Sequence, residues 1–413
     1  MVKKKQYKKS PLAPKSINKL LPIKGITLFT YCANFYNKKR NDLSIFLFHN
    51  KSYIAEVFTK SSLRSATLDW NEKALKGKEV QAIIVNAGNA NTFTGNNGKE
   101  AIKLITEKVA SKFNISYKKI FVASTGVIGE PFPTRKVLDV IDKKKSSTKN
   151  WLEAAKAMMT TDTFPKGISI RSSIGNEKVT ITGIAKGSGM IEPNMATMLG
   201  FIFTDASLDQ KILQLLMNKF VIQSFNSISV DGDESTNDTV VLAATNVVKF
   251  KNKISSINDK RLSKFKKDLK KVFSYLSEQI ARDGEGATKL IEVKVMNAQS
   301  SNSAEKIARS IANSSLVKTA VYGNDPNWGR IVMAIGKTYE KINVKKLKIS
   351  FGDYLVAVNG EINSKINEKK LINYLSRDKI IINVDLGLGK KQSNILTCDL
   401  SHQYIDINAS YKS

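Results

Sequence analysis

The chain has 413 residues, of which 66 are Lys or Arg and 36 are Asp or Glu, for a formal net charge of +30. Its apolar fraction of 42% is ordinary for a globular protein, so one to three cored domains are expected. No apolar run approaches the ~20 residues that span a bilayer. The two cysteines, Cys32 and Cys398, argue against a disulfide framework and a four-ligand zinc site, and fit a reducing, cytoplasmic setting. The two histidines, His49 and His402, leave little material for a Ser-His-Asp triad. The basic excess is nearly all lysine and is spread along the chain. Arginine is the residue suited to bidentate phosphate and base recognition, so no specific nucleic-acid partner is expected. A positive field would instead draw in acidic small molecules.

In chain order, residues 1–10 read as a basic, disordered tail without the apolar stretch of a secretory signal. Residues 43–48 and 82–86 are short, apolar and rich in branched side chains, as in buried strands. Residues 99–113 have helical spacing. A strand over 120–124 ends in Thr125-Gly126. Helices are expected over 134–145 and 150–159, and a strand over 179–184 leads into a glycine-rich loop. A strand follows at 199–204, an amphipathic helix at 208–226, a strand at 240–244 and a long helix at 262–281. Strands at 293–295, 347–351 and 380–384 suggest a later sheet, with helices at 303–315 and 365–375. This alternation indicates an α/β protein of mixed sheets with flanking helices.

The segment from Gly183 through Lys186, Gly187, Ser188 and Gly189 to Ala196-Thr197 carries the strongest chemical signal. Glycines permit the tight turn that brings a hydroxyl beside its own preceding carbonyl. Attack of the Thr197 hydroxyl on the Ala196 carbonyl would convert the peptide to an ester that water can cut. The new chain would begin at Thr197, with an α-amine of pKa ~7.7 to 8.0 next to the hydroxyl as a general base. The loop lacks the Gly-Lys-Ser/Thr ending of a phosphate cradle. It also lacks the downstream acidic residue of a dinucleotide site.

This loop resembles the self-cleavage motif of the ornithine acetyltransferase family, the bifunctional glutamate N-acetyltransferases of arginine biosynthesis. The resemblance extends over essentially the whole chain from Pro11. It includes Asn86-Ala87-Gly88-Asn89-Ala90-Asn91, Ser124-Thr125-Gly126-Val127-Ile128-Gly129, Thr160-Thr161-Asp162-Thr163-Phe164-Pro165-Lys166 and Ser229-Val230-Asp231-Gly232-Asp233. Gly284-Glu285-Gly286-Ala287-Thr288-Lys289, Gly323-Asn324-Asp325-Pro326-Asn327-Trp328-Gly329-Arg330 and the end of the chain complete it. Departures are Glu234, where the family has Thr or Met, Ser413, where many members end in Thr, and the stretch Ser65-Ala66-Thr67-Leu68.

The resemblance implies a self-cleaving N-terminal-threonine fold, cut between Ala196 and Thr197 into pieces 11–196 and 197–413. Because the cut lies between two expected strands, both pieces should stay together. By analogy, Thr197 is the nucleophile, and Thr125 and Gly126 form the oxyanion hole. Thr160, Lys186, Thr197, Glu285, Asn408 and Ser413 bind substrate, Lys186 through a carboxylate and Glu285 through the ornithine ammonium. The implied reaction moves acetyl from N-acetylornithine to glutamate through an acetyl ester, with no cofactor or metal. Some members also accept acetyl-CoA, and the sequence leaves open whether this chain does. The family's assembly implies two copies of each cut chain. Asp231, Asp233, Glu234 and Asp238 resemble a calcium loop in composition only. Two rivals remain at this level. One is an amidase or aminopeptidase with the same nucleophile that passes the acyl group to water. The other is a basic RNA-binding protein that keeps the loop for structure.

Overall fold

The computed structural model describes residues 8–17, 19–36, 39–75, 77–143, 146–192 and 198–410. The first part of the chain builds an eight-stranded sheet from β1 (Ile26–Tyr31), β2 (Leu43–Phe58), β3 (Glu79–Asn89), β4 (Ile120–Val127), β5 (Lys166–Ile174), β6 (Glu177–Lys186), β7 (Leu199–Ala206) and β8 (Thr239–Val248). Its helices are α1 (Ala66–Ala74), α2 (Gly95–Phe113), α3 (Thr134–Asp142), α4 (Trp151–Ala157), α5 (Gln210–Ile222) and α6 (Ser263–Arg282). The strand order is β4-β3-β2-β8-β7-β6-β5, and β1 pairs with β2 outside this path. The β3/β4 and β7/β8 pairs are parallel and the others antiparallel. All eight residues of β7 are buried, which explains their nearly unbroken apolar run: a strand covered on both faces does not alternate.

On one face of this sheet Phe46, Phe203 and Trp151 form an aromatic cluster, with Phe46 and Phe203 centroids 4.8 Å apart and Trp151 edge-on to Phe203 at 5.2 Å. The other face is covered by α5 and α6 through Leu213, Leu216, Val272 and Leu276. A second, six-stranded sheet follows in the order β12-β11-β10-β13-β9-β14. Its strands are β9 (Leu290–Ala298), β10 (Lys348–Phe351), β11 (Tyr354–Val358), β12 (Glu361–Ile362), β13 (Lys379–Asp385) and β14 (Lys391–Cys398). It packs with α7 (Ser301–Ala312), α8 (Ser315–Tyr322), α9 (Trp328–Gly336) and α10 (Glu368–Leu375) around Ile307, Ile331, Phe351 and Leu375. The last helix is α11 (His402–Ala409). The two layers are joined where the Ser229 amide donates to the Leu396 carbonyl and the Glu285 amide to the Ser188 carbonyl.

Several boundaries differ from the sequence reading. The helix expected over 303–315 is two helices. It stops at Ala312, and Ser314 restarts the chain by capping the Val317 amide of α8. The helix expected over 208–226 stops at Ile222 and continues as a 3-10 turn, Phe225–Ser227. The helix expected over 134–145 ends at Asp142. The strand expected to end before Thr125 continues to Val127. Among the described residues, no helix is long and apolar enough to cross a membrane.

The first sheet is continuous across the candidate cleavage segment. β6 precedes it, β7 follows it, and the two are antiparallel neighbours from Ile181↔Thr204 to Lys186↔Leu199. Ala196, Thr197 and Ser413 lie outside the described residues.

Candidate active site

A cavity of about 350 Å³ opens where the end of β4, the turn after α4, the end of β6, the start of β7 and α11 converge. Thr125, Gly126, Thr160, Lys186, Glu285 and Asn408 all line it, although they come from five separate parts of the chain. Gly189 and Met190, shortly before residues 193–197, line it too, as do Met198 and Leu199 just after them. The two ends of the glycine-rich loop therefore border the same space.

β4 reaches the cavity beside β3, with Gly126 opposite Gly88 in register. Gly126 has φ +134, and a Cβ there would stand 2.3 Å from the Gly88 carbonyl carbon, so both conformation and space require glycine. The approach is held by Asn237, whose Nδ2 donates to the carbonyls of Ala90 at 2.6 Å and Ser124 at 2.9 Å. Its Oδ1 accepts from the hydroxyls of Thr92 and Thr236. Asn237 lines the cavity, but its amide is fully used in holding the β3 and β4 ends.

Lys186, the last residue of β6, is buried and donates to the Thr125 hydroxyl at 3.3 Å. Burial lowers its pKa from the ordinary lysine value, opposed by the nearby Asp162 carboxylate. Lys186 belongs to a larger group of buried charges. The Lys166 ammonium lies 2.6 Å from both Asp162 and Asp283, with all three side chains fully enclosed. Asp162 also accepts the Thr160 amide at 3.0 Å and the Gly187 amide at 2.7 Å. Burial pushes the Asp162 carboxyl up, but the Lys166 and Lys186 ammoniums and the Gly187 amide outweigh it, so it stays well below the usual carboxylate range. Two lysines and two aspartates balance in charge here, which is how such groups are tolerated in a dry interior.

Glu285 sits at the cavity wall, where Asn408 donates to its Oε2 at 2.8 Å. Burial raises its pKa, opposed by hydrogen bonds from Thr161 and Asn408. The backbone makes room for this carboxylate at Gly189, where a Cβ would meet Glu285 Cδ at 2.4 Å. Asn408 is set in α11 and is not a frayed tail. Thr160 follows α4 and caps no helix. Glu234 is exposed and does not line the cavity. His402 is exposed at the start of α11, its ring edge-on to Tyr322 at 6.1 Å. Among the described residues, no cluster of His, Cys, Asp or Glu could hold a metal ion.

The sequence reading did not single out Thr161, Asn237, Asp238, Met190 and Ile128 as lining residues. Nor did it assign the Asp162–Lys166–Asp283 cluster. Asp162 and Lys166 fall inside a quoted motif, but their partner Asp283 is 117 residues beyond Lys166, and one sequence carries no signal for that pairing. Among the described residues, the cavity holds one cation, Lys186, two carboxylates, Asp238 and Glu285, the latter with an amide partner, and a strand end with a glycine at positive φ, and it is bordered by the residues on either side of 193–197. That arrangement suits an acyl compound bearing both a carboxylate and an ammonium group.

Comparison with known proteins agrees over nearly the full length. The ArgJ family model matches residues 29–413. The arginine biosynthesis bifunctional protein ArgJ of Brucella suis is 46% identical over 408 residues, covering 98% of this chain and 99% of that protein. Its counterpart in Rhizobium meliloti is 44% identical with the same coverage. Among solved structures, the ArgJ protein of Bacillus halodurans aligns at 39% identity and a TM-score of 0.49, covering 52% of this chain and 100% of that one. An ornithine acetyltransferase complexed with ornithine, from Mycobacterium tuberculosis, aligns at 27% identity and a TM-score of 0.39, covering 44% of this chain and 96% of that one.

Proposed function

The chain belongs to the ArgJ family of arginine-biosynthesis enzymes, and from that premise we propose that it transfers the acetyl group of N2-acetylornithine to glutamate. The observation that carries this reading is the cavity that gathers Thr125, Gly126, Thr160, Lys186, Glu285 and Asn408 around the two ends of the 193–197 segment.

The reaction begins with self-cleavage between Ala196 and Thr197. Thr197 Oγ attacks the acetyl carbonyl of N2-acetylornithine while its own α-amine takes the hydroxyl proton. Thr125 and Gly126 donate to the oxyanion of the tetrahedral intermediate, and such a donor is worth ~100- to 1,000-fold in rate. The intermediate collapses, the C–N bond breaks, the α-ammonium returns its proton to the leaving amine, and ornithine departs. An acetyl ester remains on Thr197. Glutamate then binds, its amine attacks the ester carbonyl, and N-acetylglutamate leaves as the proton returns to Thr197. Lys186 pairs with the substrate carboxylate and Glu285 with the side-chain ammonium of ornithine. Thr160, Asn408 and Ser413 complete the binding set.

Nucleophile, base and oxyanion donors are all protein groups, so the steps balance without metal or nucleotide. Acetyl-CoA is a second donor class of the same acyl chemistry. The proposed working form is cytoplasmic and contains two copies of each cut chain. The test follows ornithine release from N2-acetylornithine with and without glutamate. Transfer predicts one equivalent per site without glutamate and continuous turnover with it. Release at the same steady rate without glutamate would make the protein a hydrolase. Replacing N2-acetylornithine by acetyl-CoA in the same assay decides the second donor.

A further inference from the structure

The acidic loop Asp231 to Asp238, which in composition resembles a cation site, has a different use in the structure. Both carboxylate oxygens of Asp231 face backbone donors: Oδ2 accepts the Met190 amide at 2.7 Å and Oδ1 the Ile191 amide at 2.8 Å. These bonds turn the carboxylate toward the backbone of residues 190–191. The contact is reciprocal, because the Ile191 carbonyl accepts from the Val230 amide at 2.7 Å and from the Ser229 hydroxyl at 3.2 Å. Ile191 itself is fully buried in the core. One residue further on, Glu192 pairs with Arg309 of α7 at 2.9 Å. Asp231 also accepts from Tyr404 of α11 at 3.4 Å, and α11 carries Asn408 to the cavity.

The held atoms all belong to residues 190–192, on the N-terminal side of the candidate cut. The holding groups, Ser229, Val230, Asp231 and Arg309, all lie on its C-terminal side. Gly189 and Met190 form part of the cavity wall, and Gly189 abuts Glu285. A cut at residue 196 would create a new chain end only a few residues from that wall. Free chain ends gain conformational freedom and fray unless tied down. Hydrogen bonds to an ionised carboxylate are among the stronger ties available.

We propose that Asp231 is the tether that keeps the end of the first chain in place after self-cleavage, so that Gly189 and Met190 remain part of the wall of the substrate cavity. Asp231 is thus a positioning residue that acts through Met190 and Ile191 and does not touch the reacting atoms. This inference rests on the self-cleavage reading above. The Ser229-Val230-Asp231 motif then joins the two products of the cut across the site they build.

The test is amide hydrogen exchange by mass spectrometry on the full-length protein, with intact masses recorded on the same samples. The peptide containing residues 188–192 is compared between cut wild type and uncut Thr197→Ala. The tether predicts equally slow exchange at Met190 and Ile191 in both. Exchange in the cut protein as fast as in an unfolded peptide would overturn it. Asp231→Ala should speed these amides at least ~10-fold, the change expected for losing one modest interaction, while β8 and α6 stay protected. Asp231→Asn, which keeps one acceptor oxygen, should fall between. Asp231→Asn serves as the variant if Asp231→Ala does not fold.

In kinetics, Asp231→Asn should raise KM for N2-acetylornithine several-fold, yet leave the rate at which p-nitrophenyl acetate acylates Thr197 unchanged. A general structural defect would lower both. Slow exchange and an unchanged KM in the Asp231 variants would overturn the proposal. A single uncut mass from wild type would sink the self-cleavage reading instead, so the two failures are distinguishable.

Discussion

Lys186 and Glu285 both face the cavity, and burial moves their pKa values toward each other: down from the ordinary value for Lys186 and up for Glu285. Both are charged only between those shifted values. Binding of N2-acetylornithine should therefore weaken as pH falls through the raised Glu285 pKa, where the carboxylate takes a proton and no longer attracts the ammonium. Binding should also weaken as pH rises through the lowered Lys186 pKa, where the ammonium is lost. Calorimetric titration across pH would show this bell, and Glu285→Gln should remove its acid limb. A limb unchanged by Glu285→Gln would contradict the ammonium assignment. Lys166 makes a separate prediction. It neutralises two fully enclosed carboxylates, so Lys166→Met should cost about 3–5 kcal/mol, the loss typical when one partner of a buried charge set is removed. The check is thermal or urea unfolding, with destabilisation under ~1 kcal/mol as the contrary result. At this scale the sequence is partly legible. Thr125, Gly126, Thr160, Lys186 and Glu285 are named through the motifs that resemble the family's, and all five line one cavity. Asp231 and Asn237 cannot, because their partners are backbone groups at distant positions: the Met190 and Ile191 amides for one, the Ala90 and Ser124 carbonyls for the other.

At the level of elements, the strongest demand is on the β3–β4 pair, which brings Gly88 and Gly126 into backbone contact. A Gly126→Ala change would force the strand ends apart and adopt a φ that side chains disfavour. We expect a fall of ~100- to 1,000-fold in kcat, the loss seen when an oxyanion donor is misplaced, with a smaller change in substrate affinity. Equal loss in affinity and rate would place Gly126 in binding instead. Helix boundaries give a milder case. Ser314→Ala removes the cap of α8 and should cost about 1 kcal/mol in unfolding measurements. Buried strands are the easiest to read from sequence: β3 and β7 each carry an unbroken apolar run, 82–85 in one and 201–203 in the other. β5 and β14 are harder, because Lys166–Ile174 intersperses its apolar residues with Ser and Gly, and Lys391–Cys398 begins with four polar residues on an exposed stretch. The helix α9 gives a weak signal because Trp328–Gly336 has a glycine near each end, a pattern more typical of loops.

For the whole molecule, the continuous first sheet matters most. β5 and β6 precede the candidate cut, and β7 and β8 follow it, yet all four are consecutive neighbours in one sheet. The cut therefore divides the chain without dividing the fold, and the two pieces should co-elute in size-exclusion chromatography and separate only in denaturant. Separation under native conditions would contradict the sheet order. The fold class is legible because strands and helices alternate along the chain, whereas the order of the strands depends on pairings between distant segments that no periodicity reveals. The high net charge says little about this architecture, since most lysines are exposed and only a few, among them Lys166 and Lys186, are built into the interior. The central claim is a threonine nucleophile made by the chain itself. The most direct measurement is the intact mass, under denaturing conditions, of wild type and Thr197→Ala, each before and after exposure to N2-acetylornithine without glutamate. The account predicts two chains from wild type, split between Ala196 and Thr197, with one acetyl group gained by the second chain alone, and a single unacetylated chain from the variant. A single uncut chain from folded, active wild type, or an acetyl group on the first chain, would contradict it.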